Sequence, residues 1–281
     1  MDLEDIINRL RNEMGKSFER AVTDAFKFLG FDAEHINETQ AESDIIIKAP
    51  QALKPYYVVA ECEAVREGNQ VSYRKLGQLH GNFGKYATRY KEYSSSYKML
   101  VGKPVFSNDA IESSKNEPVT LLTSEMLIRL LEYNSRYILS QDELENFFLW
   151  SGLIQKEHIE TICNMYMRKV KLYSLIYISL INRPTRSRLN IRGNFIPLEE
   201  LIGSIKTLSY LMKIENVNNE EIFEAIRDLS NPFIKIVEIK KDTIKLSGLS
   251  YNVMVQNLRG YGIDFNDYVE KILSLLEKIR E

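Results

Sequence analysis

The chain has 281 residues, of which 44% are hydrophobic and 27% are charged, a composition typical of a soluble globular protein. No apolar run approaches the roughly eighteen residues of a membrane span, and the charged, amphipathic N-terminus is unlike a signal or transit peptide. Two distant cysteines, Cys62 and Cys163, give no disulfide framework. These features argue against a membrane protein or a disulfide-stapled secreted domain. They predict a cytoplasmic protein with one large domain or two ordinary ones.

The first half of the chain alternates helical and strand patterns. An apolar stripe at helical spacing predicts one helix over residues 4–29, ended by Gly30. Two short runs rich in β-branched and aromatic residues predict paired strands at 44–48 and 57–62. The other predicted elements are a helix over 71–92, strands at 98–101 and 119–122, and a helix that begins at Thr123 or Ser124 and runs through Leu131. This order predicts an α/β domain, a mixed sheet flanked by helices, over residues 1–148.

The second half is predicted to be mostly helical. Helices are indicated near 156–182, 197–213 and 219–229, and Asn218 with Glu221 predicts a capping box for the third. A hairpin at 233–248 and an amphipathic helix at 267–281 follow. Three helices followed by a hairpin is the order of a winged helix-turn-helix. Residues 149–281 are therefore predicted to form a winged-helix-like domain for DNA binding or dimerisation, with 219–229 as its recognition helix.

Charge is distributed unevenly between the two halves. The net charge is −5 over residues 1–150 and +3 over 151–281, and residues 161–198 contain seven bases and no acid. This pattern favours a polyanionic partner such as double-stranded DNA for the C-terminal half, and the alternative is an ordinary basic surface loop. Four arginines in the predicted turn between the first two C-terminal helices are candidates for phosphate contacts: Arg183, Arg186, Arg188 and Arg192.

Three acids stand at the ends of the first two predicted strands, in the stretch SDIIIKAPQALKPYYVVAECEA. Because strand side chains alternate between faces, Glu61 and Glu63 share one face, and Asp44 converges with them if the strands are neighbours. Grouped carboxylates repel unless a cation lies among them, and Mg²⁺ or Mn²⁺ suits such oxygen ligands. A divalent ion there could polarise a phosphodiester and activate a water. The alternative is that these acids are exposed or paired with Lys48 or Arg66.

The order of these motifs resembles the PD-(D/E)xK nuclease superfamily, especially the cleavage domains of FokI-like Type IIS restriction endonucleases. The resemblance covers roughly residues 15–135. It rests on GKSFERAVTDAFKFLGF, EHINETQAESDIII, YYVVAECEA and SYRKLGQLHGNFGKY, followed by KMLVGKPVFSNDAI and VTLLTSEMLIRLL. It implies a restriction-endonuclease-like fold and Mg²⁺-dependent cleavage of double-stranded DNA, with Mn²⁺ as a possible substitute and with recognition and cleavage on separate domains.

The resemblance also implies residue roles. It assigns Asp44 and Glu61 as metal-binding acids, Glu19 as an accessory acid, and Gln78 as a polar helix residue near the active site. This sequence departs from the family at Glu63, where a lysine usually orients the attacking water. A glutamate cannot supply positive charge, but it can act as a third metal ligand or as a base. Lys75 on the next predicted helix is a candidate for the missing charge, and the alternative is a solvated helix lysine.

We therefore expect a metal-dependent DNA endonuclease, a Type IIS-like restriction enzyme or subunit. Because one such site cuts one strand, duplex cleavage would require a homodimer or a heterodimer with a second nuclease subunit. An alternative from another class is a catalytically inactive DNA-binding or regulatory protein with a decayed nuclease fold, made inert by Glu63. A third possibility is that the C-terminal helices serve dimerisation and not DNA binding.

Overall fold

A computed structural model describes residues 2–36, 43–137, 139–181, 195–214, 216–230, 236–247, 269–270 and 272–274. Contacts divide the chain into two compact units, Met1–Cys163 and Asn164–Glu281. No helix among the described residues is long and apolar enough to cross a membrane. The two cysteines are buried and unpaired. The proposed domain boundary at 148/149 remains a prediction.

The first unit is built on a six-stranded mixed sheet in the order β1-β2-β3-β4-β5-β6. Strand β2 runs antiparallel to both of its neighbours, β1 and β3. Each neighbouring pair from β3 to β6 is parallel. The strands are β1 (Asp32–His35), β2 (Ile45–Ala49), β3 (Tyr56–Ala64), β4 (Ser95–Lys103), β5 (Thr120–Thr123) and β6 (Gly152–Leu153). The predicted α/β fold class, a mixed sheet flanked by helices, is confirmed, whereas β1 and β6 were not predicted.

Among the described residues, six helices belong to the first unit, and a seventh crosses into the second. They are α1 (Leu3–Asn12), α2 (Gly15–Phe28), α3 (Arg74–Arg89), α4 (Asn108–Asn116), α5 (Ser124–Tyr137), α6 (Gln141–Phe148) and α7 (Lys156–Ile181). The hydroxyl of Thr123 accepts a hydrogen bond from the main-chain N–H of Met126, so Thr123 caps α5 as expected. Helices α4 and α6 were not predicted, although Ser140 and Glu143 form a capping box at the start of α6.

The single helix predicted over 4–29 is wrong, because the chain breaks between α1 and α2. Gly15 has a φ of 55°, a left-handed conformation that suits glycine. At the break, the Lys103 ammonium donates to the main-chain carbonyls of Arg11, at 3.0 Å, and Glu13, at 2.5 Å. The apolar stripe continues across the break, with Leu10 and Phe18 both buried. Hydrophobic spacing alone therefore did not reveal the interruption.

One face of the sheet packs against α3. Tyr57 and Val59 of β3 join Leu79 and Tyr86 of α3 in a buried apolar cluster. Residues 61 and 63 follow on the same face by strand alternation, so the sequence directs two acids toward the layer in which α3 lies. The apolar layer thereby brings helical side chains close to the carboxyl end of β3.

Hydrogen bonds of the buried Gln141 side chain join helix α6 to the rest of the first unit. Its amide oxygen accepts a hydrogen bond from the main chain of Gln51 at 2.8 Å, and its amide nitrogen donates to the carbonyl of Gly30 at 2.7 Å. The main-chain carbonyl of Gln141 accepts from the hydroxyl of buried Tyr56 at 2.6 Å. These bonds satisfy polar groups that would otherwise be costly to bury.

The second unit contains most of α7, then β7 (Ile196–Pro197), α8 (Leu198–Leu211), α9 (Asn219–Ser230), β8 (Val237–Lys240) and β9 (Thr243–Leu246). The three strands form a sheet in the order β7-β9-β8. The predicted hairpin is present as β8 and β9, and Asn218 and Glu221 form the expected capping box through hydrogen bonds of 2.9 and 3.2 Å. The predicted terminal helix lies largely outside the described residues. A winged-helix function for this unit remains a proposal.

Two bases of the acid-free stretch are paired within the second unit. The guanidinium of Arg168 donates to both carboxylate oxygens of Glu221, at 2.5 and 2.9 Å. Lys169 lies 3.4 Å from the carboxylate of Asp228. Both acids belong to α9, the predicted recognition helix, so part of the basic charge that suggested a polyanion is neutralised internally. The four arginines predicted to contact DNA lie at 183–192, outside the described residues.

Candidate active site

The structure brings Asp44 and Glu61 together beneath α3. Asp44 directly precedes β2, whose first residue pairs with Ala60, the neighbour of Glu61 in β3. The main-chain N–H of Cys62 donates to Asp44 Oδ2 at 2.7 Å. Asp44 is 5% exposed and Glu61 is fully buried. Two carboxylates at adjacent strand ends therefore share a site that excludes most water.

The pKa values of both acids are raised above those of exposed carboxyl groups. Burial, followed by the charge of Asp44, raises the pKa of Glu61 to about 7. Burial also raises the pKa of Asp44, against the opposing hydrogen bond from the Cys62 main chain. A cation placed between the carboxylates would lower the pKa of both groups again. The site is therefore poorly satisfied when it holds no cation.

Helix α3 presents Lys75 and Asn82 to Glu61, one to each carboxylate oxygen. Lys75 Nζ lies 3.5 Å from Oε2, and Asn82 Nδ2 donates to Oε1 at 3.3 Å. The two residues are seven positions apart, which is two helical turns, so they lie on one face of α3. The structure thus favours the first interpretation of Lys75, a charge at the site, over a solvated helix lysine.

All three strand-end acids affect the pKa of Lys75. Burial lowers the pKa of its ammonium, but the carboxylates of Asp44, Glu61 and Glu63 outweigh burial and raise it. The side chain is 25% exposed, so its charge can face both the acids and an incoming ligand. Lys75 thereby places positive charge close to the three strand-end acids.

Glu63 lies two residues beyond Glu61 and is half-buried at the end of β3. Its Oε2 atom is buried without a hydrogen-bond partner. Oε2 of Glu61 is also buried without a hydrogen bond and lies 3.5 Å from the ammonium of Lys75. A buried carboxylate oxygen without a hydrogen bond is costly unless a ligand or cation completes its shell. Two such atoms on one strand face point to a ligand at this position.

Glu19 of α2 lies at the margin of the site, beside His35 of β1. The distance between Glu19 Oε2 and His35 Nε2 is 2.8 Å. The negative charge of Glu19 contributes to raising the pKa of Asp44, which places the carboxylate within electrostatic reach of the site. The structure therefore brings the proposed accessory acid near Asp44, and His35 contacts it on the other side.

Gln78 of α3 is half-buried, and it is three residues from Lys75 and four from Asn82. Helical spacing places it on the same face as both, although its role remains a proposal. Sequence reasoning missed Asn82 and His35. The seven-residue spacing from Lys75 could have indicated Asn82, whereas nothing in the local sequence links His35 to Glu19, because β1 was not predicted.

The residues fit a divalent cation only in part. Asp44 and Glu61 provide hard oxygen ligands, and the unsatisfied Glu61 Oε2 atom is a place where a cation would remove an energetic cost. Within the described residues, however, no three His, Cys, Asp or Glu side chains are grouped as a metal site. A site with two carboxylates would leave the other positions to water or substrate oxygens, as is usual for Mg²⁺. Glu63 as a third ligand remains a proposal.

Residues 10–131 match the restriction endonuclease family Mrr_cat. This segment contains Glu19, Asp44, Glu61, Glu63 and Lys75, and the match confirms the nuclease resemblance for this part of the chain. Comparison with curated proteins gives no match. We refer to Met1–Cys163, which contains this match, below as the N-terminal unit.

Solved structures of restriction endonucleases share weaker similarity with the chain. Restriction endonuclease FokI has 17% identity and a TM-score of 0.45, covering 54% of this chain and 31% of that one. FokI bound to DNA has 16% identity and a TM-score of 0.43, with coverages of 54% and 30%. The small subunit R.BspD6I2 of heterodimeric R.BspD6I has 15% identity and a TM-score of 0.32, with coverages of 59% and 97%. The chain thus spans about a third of FokI.

Glu61→Gln is expected to raise the melting temperature of the metal-free protein at pH 8 and to change it little at pH 5. The folded pKa of Glu61 is raised from 4.5 to about 7. Stability is therefore lost as pH rises from the unfolded to the folded pKa, where the buried acid must ionise. At about 1.4 kcal/mol per pKa unit, the cost above pH 7 is on the order of 3 kcal/mol. The melting temperature at pH 8 should rise by roughly 5 °C in EDTA.

The matched control is Glu132→Gln, which removes an exposed carboxylate from α5. Calorimetry of both variants at the two pH values separates burial from a general charge effect. Equal shifts of Glu61→Gln at pH 5 and pH 8 would show that ionisation of this acid does not destabilise the fold.

Proposed function

We propose that this protein is a Mg²⁺-dependent DNA endonuclease of Type IIS-like character, acting as a restriction enzyme or as a subunit of one. The observation that supports it best is the buried Asp44–Glu61 pair facing Lys75, inside the segment that matches a restriction endonuclease family. A buried acid pair with a neighbouring ammonium is an arrangement that stability does not require. It is one that phosphodiester hydrolysis uses.

Asp44 and Glu61 would hold the cation, which when bound supplies Lewis-acid stabilisation of phosphoryl charge. Asn82 and the Cys62 main chain fix the two carboxylates by hydrogen bonds. In hydrolysis, the oxygen of water forms a bond to phosphorus and the bond to the leaving oxygen breaks. The ammonium of Lys75 lies where it can donate a hydrogen bond to the phosphoryl or leaving oxygen as negative charge grows there.

Glu63 is proposed as the base that accepts the proton of the attacking water, or alternatively as a further metal ligand. A carboxylate oxygen without a hydrogen-bond partner is available for either role. Division of labour between Glu63 and Lys75 would replace the single lysine that the family usually carries at position 63. Glu19 is proposed to act indirectly, through its charge near Asp44.

The test of this function is incubation of the purified protein with supercoiled plasmid in Mg²⁺ and separately in EDTA. Metal-dependent linearisation or nicking is expected, and sequencing the ends gives the cut position and its strand. Mn²⁺ is the expected substitute. Because one site cuts one strand, double-strand cleavage should depend on protein concentration or on a second nuclease subunit.

The alternative is an inactive DNA-binding or regulatory protein. Two observations favour it: Glu63 replaces the usual lysine, and no group of three metal-ligating side chains occurs among the described residues. Binding of plasmid without cleavage in Mg²⁺ or Mn²⁺ would support this alternative and exclude the endonuclease.

DNA affinity of the C-terminal unit is proposed to involve Arg183, Arg186, Arg188 and Arg192, with α9 as the recognition helix. We expect Arg186→Ala with Arg188→Ala to weaken binding to cognate and random duplexes alike, because phosphate contacts carry no sequence information. The slope of log K against log salt should become shallower by roughly two, about 0.9 for each contact. An unchanged slope would indicate instead that these arginines face solvent or a protein partner, and that this unit serves dimerisation.

A further inference from the structure

The outer face of α3 carries positive charge and no negative charge. Residues 68–91 contain no acid, and Arg74, Lys85 and Arg89 are all exposed. At 100° per residue these three cations fall within about 60° of one another on the helix surface, in the order Arg74, Lys85, Arg89. Gln78 lies between Lys85 and Arg89 on this arc. The exposed cations therefore form one stripe along the helix.

This stripe, which we call the α3 basic face and define as Arg74, Gln78, Lys85 and Arg89, borders the candidate active site. The ammonium of Lys85 donates to Asn82 Oδ1 at 3.3 Å, and Asn82 in turn donates to Glu61 at 3.3 Å. A continuous chain of polar contacts thus runs from the surface to the buried acids.

Three glycines flank the α3 basic face on its other side. Gly77, Gly81 and Gly84 are exposed, and a Cβ atom added to any of them would meet nothing within 4 Å. Packing within the described residues therefore does not require them, although each costs helix stability of about 1 kcal/mol relative to alanine. A bare helix surface of this kind permits close approach of another chain. The adjacent cations indicate that this chain is negatively charged.

We propose that the α3 basic face binds the sugar-phosphate backbone of duplex DNA and thereby places the scissile phosphate beside Lys75. This inference rests on the proposed nuclease function and adds a binding surface to it. Arg74 and Lys85 are separated by about 16 Å along the helix axis, which spans several phosphates of one strand. A second copy of this chain is disfavoured as the occupant, since a twofold contact through this face would bring like charges together.

The test variant combines Arg74→Gln and Arg89→Gln in the whole chain. Its DNA binding is compared with that of the wild type. Binding of a labelled 30-bp duplex of random sequence is measured in Ca²⁺ across a salt series. We expect the affinity to fall on the order of tenfold, and the slope of log K against log salt to become shallower by about two. Lys54→Gln with Lys115→Gln is the matched control, because it removes two exposed cations from other parts of the N-terminal unit.

Gly81→Gln provides a second test with two opposing results. A glutamine is a better helix former, so the melting temperature should rise by about 2 °C. The longer side chain should also block the close approach of DNA, so affinity should fall several-fold although the fold is stabilised. A merely structural role of Gly81 would move stability and affinity together.

Each outcome bears on the inference in a defined way. A wild-type salt slope in the arginine double variant, with Mg²⁺-dependent plasmid cleavage intact, overturns the α3 surface and leaves the proposed function standing. Loss of a dimer in sedimentation, again with an unchanged slope, assigns the face to a second copy instead. A wild-type protein that neither binds nor cuts DNA overturns the proposed function as well.

Discussion

Cleavage of plasmid DNA in Mg²⁺ is expected to fall on the order of a thousandfold in Asp44→Ala and equally in Glu61→Ala, which corresponds to about 4 kcal/mol of lost transition-state stabilisation. Both carboxylates are buried at one position, where burial raises the pKa of each and a bound cation would offset that cost. Either change removes half of the proposed cation site. DNA affinity should stay within about threefold, because phosphate contacts elsewhere supply most of the binding free energy.

The measurement is a single-turnover cleavage rate at saturating Mg²⁺, paired with a binding titration of the same variants. Asp142→Ala serves as the control, since this acid caps the loop at Leu53 by a hydrogen bond of 2.9 Å and takes no part in the site. Wild-type cleavage by either Asp44→Ala or Glu61→Ala would rule out these acids as the catalytic pair.

The second large effect is expected for Lys75→Met, which keeps the length of the side chain and removes its charge. If the ammonium stabilises developing phosphoryl charge, the chemical step should slow about a hundredfold or more with little change in DNA affinity. Lys75→Arg should recover part of the rate. The control is Lys85→Met on the same helix, which should weaken DNA binding more than it slows the chemical step.

Glu63→Gln completes this comparison. If Glu63 is a base or a metal ligand, Glu63→Gln should remove most of its contribution to the cleavage rate. The amide neither accepts a proton nor carries charge. A flat rate for Glu63→Gln, together with a slow Lys75→Met, would assign the chemistry at this end of β3 to the lysine alone. Cleavage at the wild-type rate by Lys75→Met would indicate that Lys75 is only an ion-pair partner of Glu61.

Strand-end acids were predictable because a buried carboxylate is rare in an apolar strand and alternation fixes its face. The partner of Glu61 was harder to predict. Asn82 resembles any polar helix residue until β3 and α3 are packed together, and the choice between two interpretations of Lys75 depended on the same contact. His35 depended on an edge strand of four residues with a mixed pattern. Contacts between distant parts of the chain decided all three, and the seven-residue spacing from Lys75 to Asn82 was the signal present in the local sequence.

Element boundaries show the same limit. The apolar stripe over 4–29 continues through a break that is visible only in the contacts of Lys103. By contrast, the sequence does mark the start of α6, because Ser140 and Glu143 have the spacing of a capping box. This signal was not used to predict the helix. Strand β6 has two residues, too few for any periodicity to indicate.

The hydrogen bonds of Gln141 determine where the N-terminal unit could be divided from the rest of the chain. A fragment ended at residue 131, the limit of the family match, would leave the Tyr56 hydroxyl and the Gly30 carbonyl without the partners that α6 provides. It would also lose Gly152–Leu153, which hydrogen-bonds to the sheet beside β5. A unit excised with these contacts intact would therefore have to extend through Ile154, whose main-chain N–H donates to the carbonyl of Leu121 at 2.8 Å, well beyond the segment that matches the family.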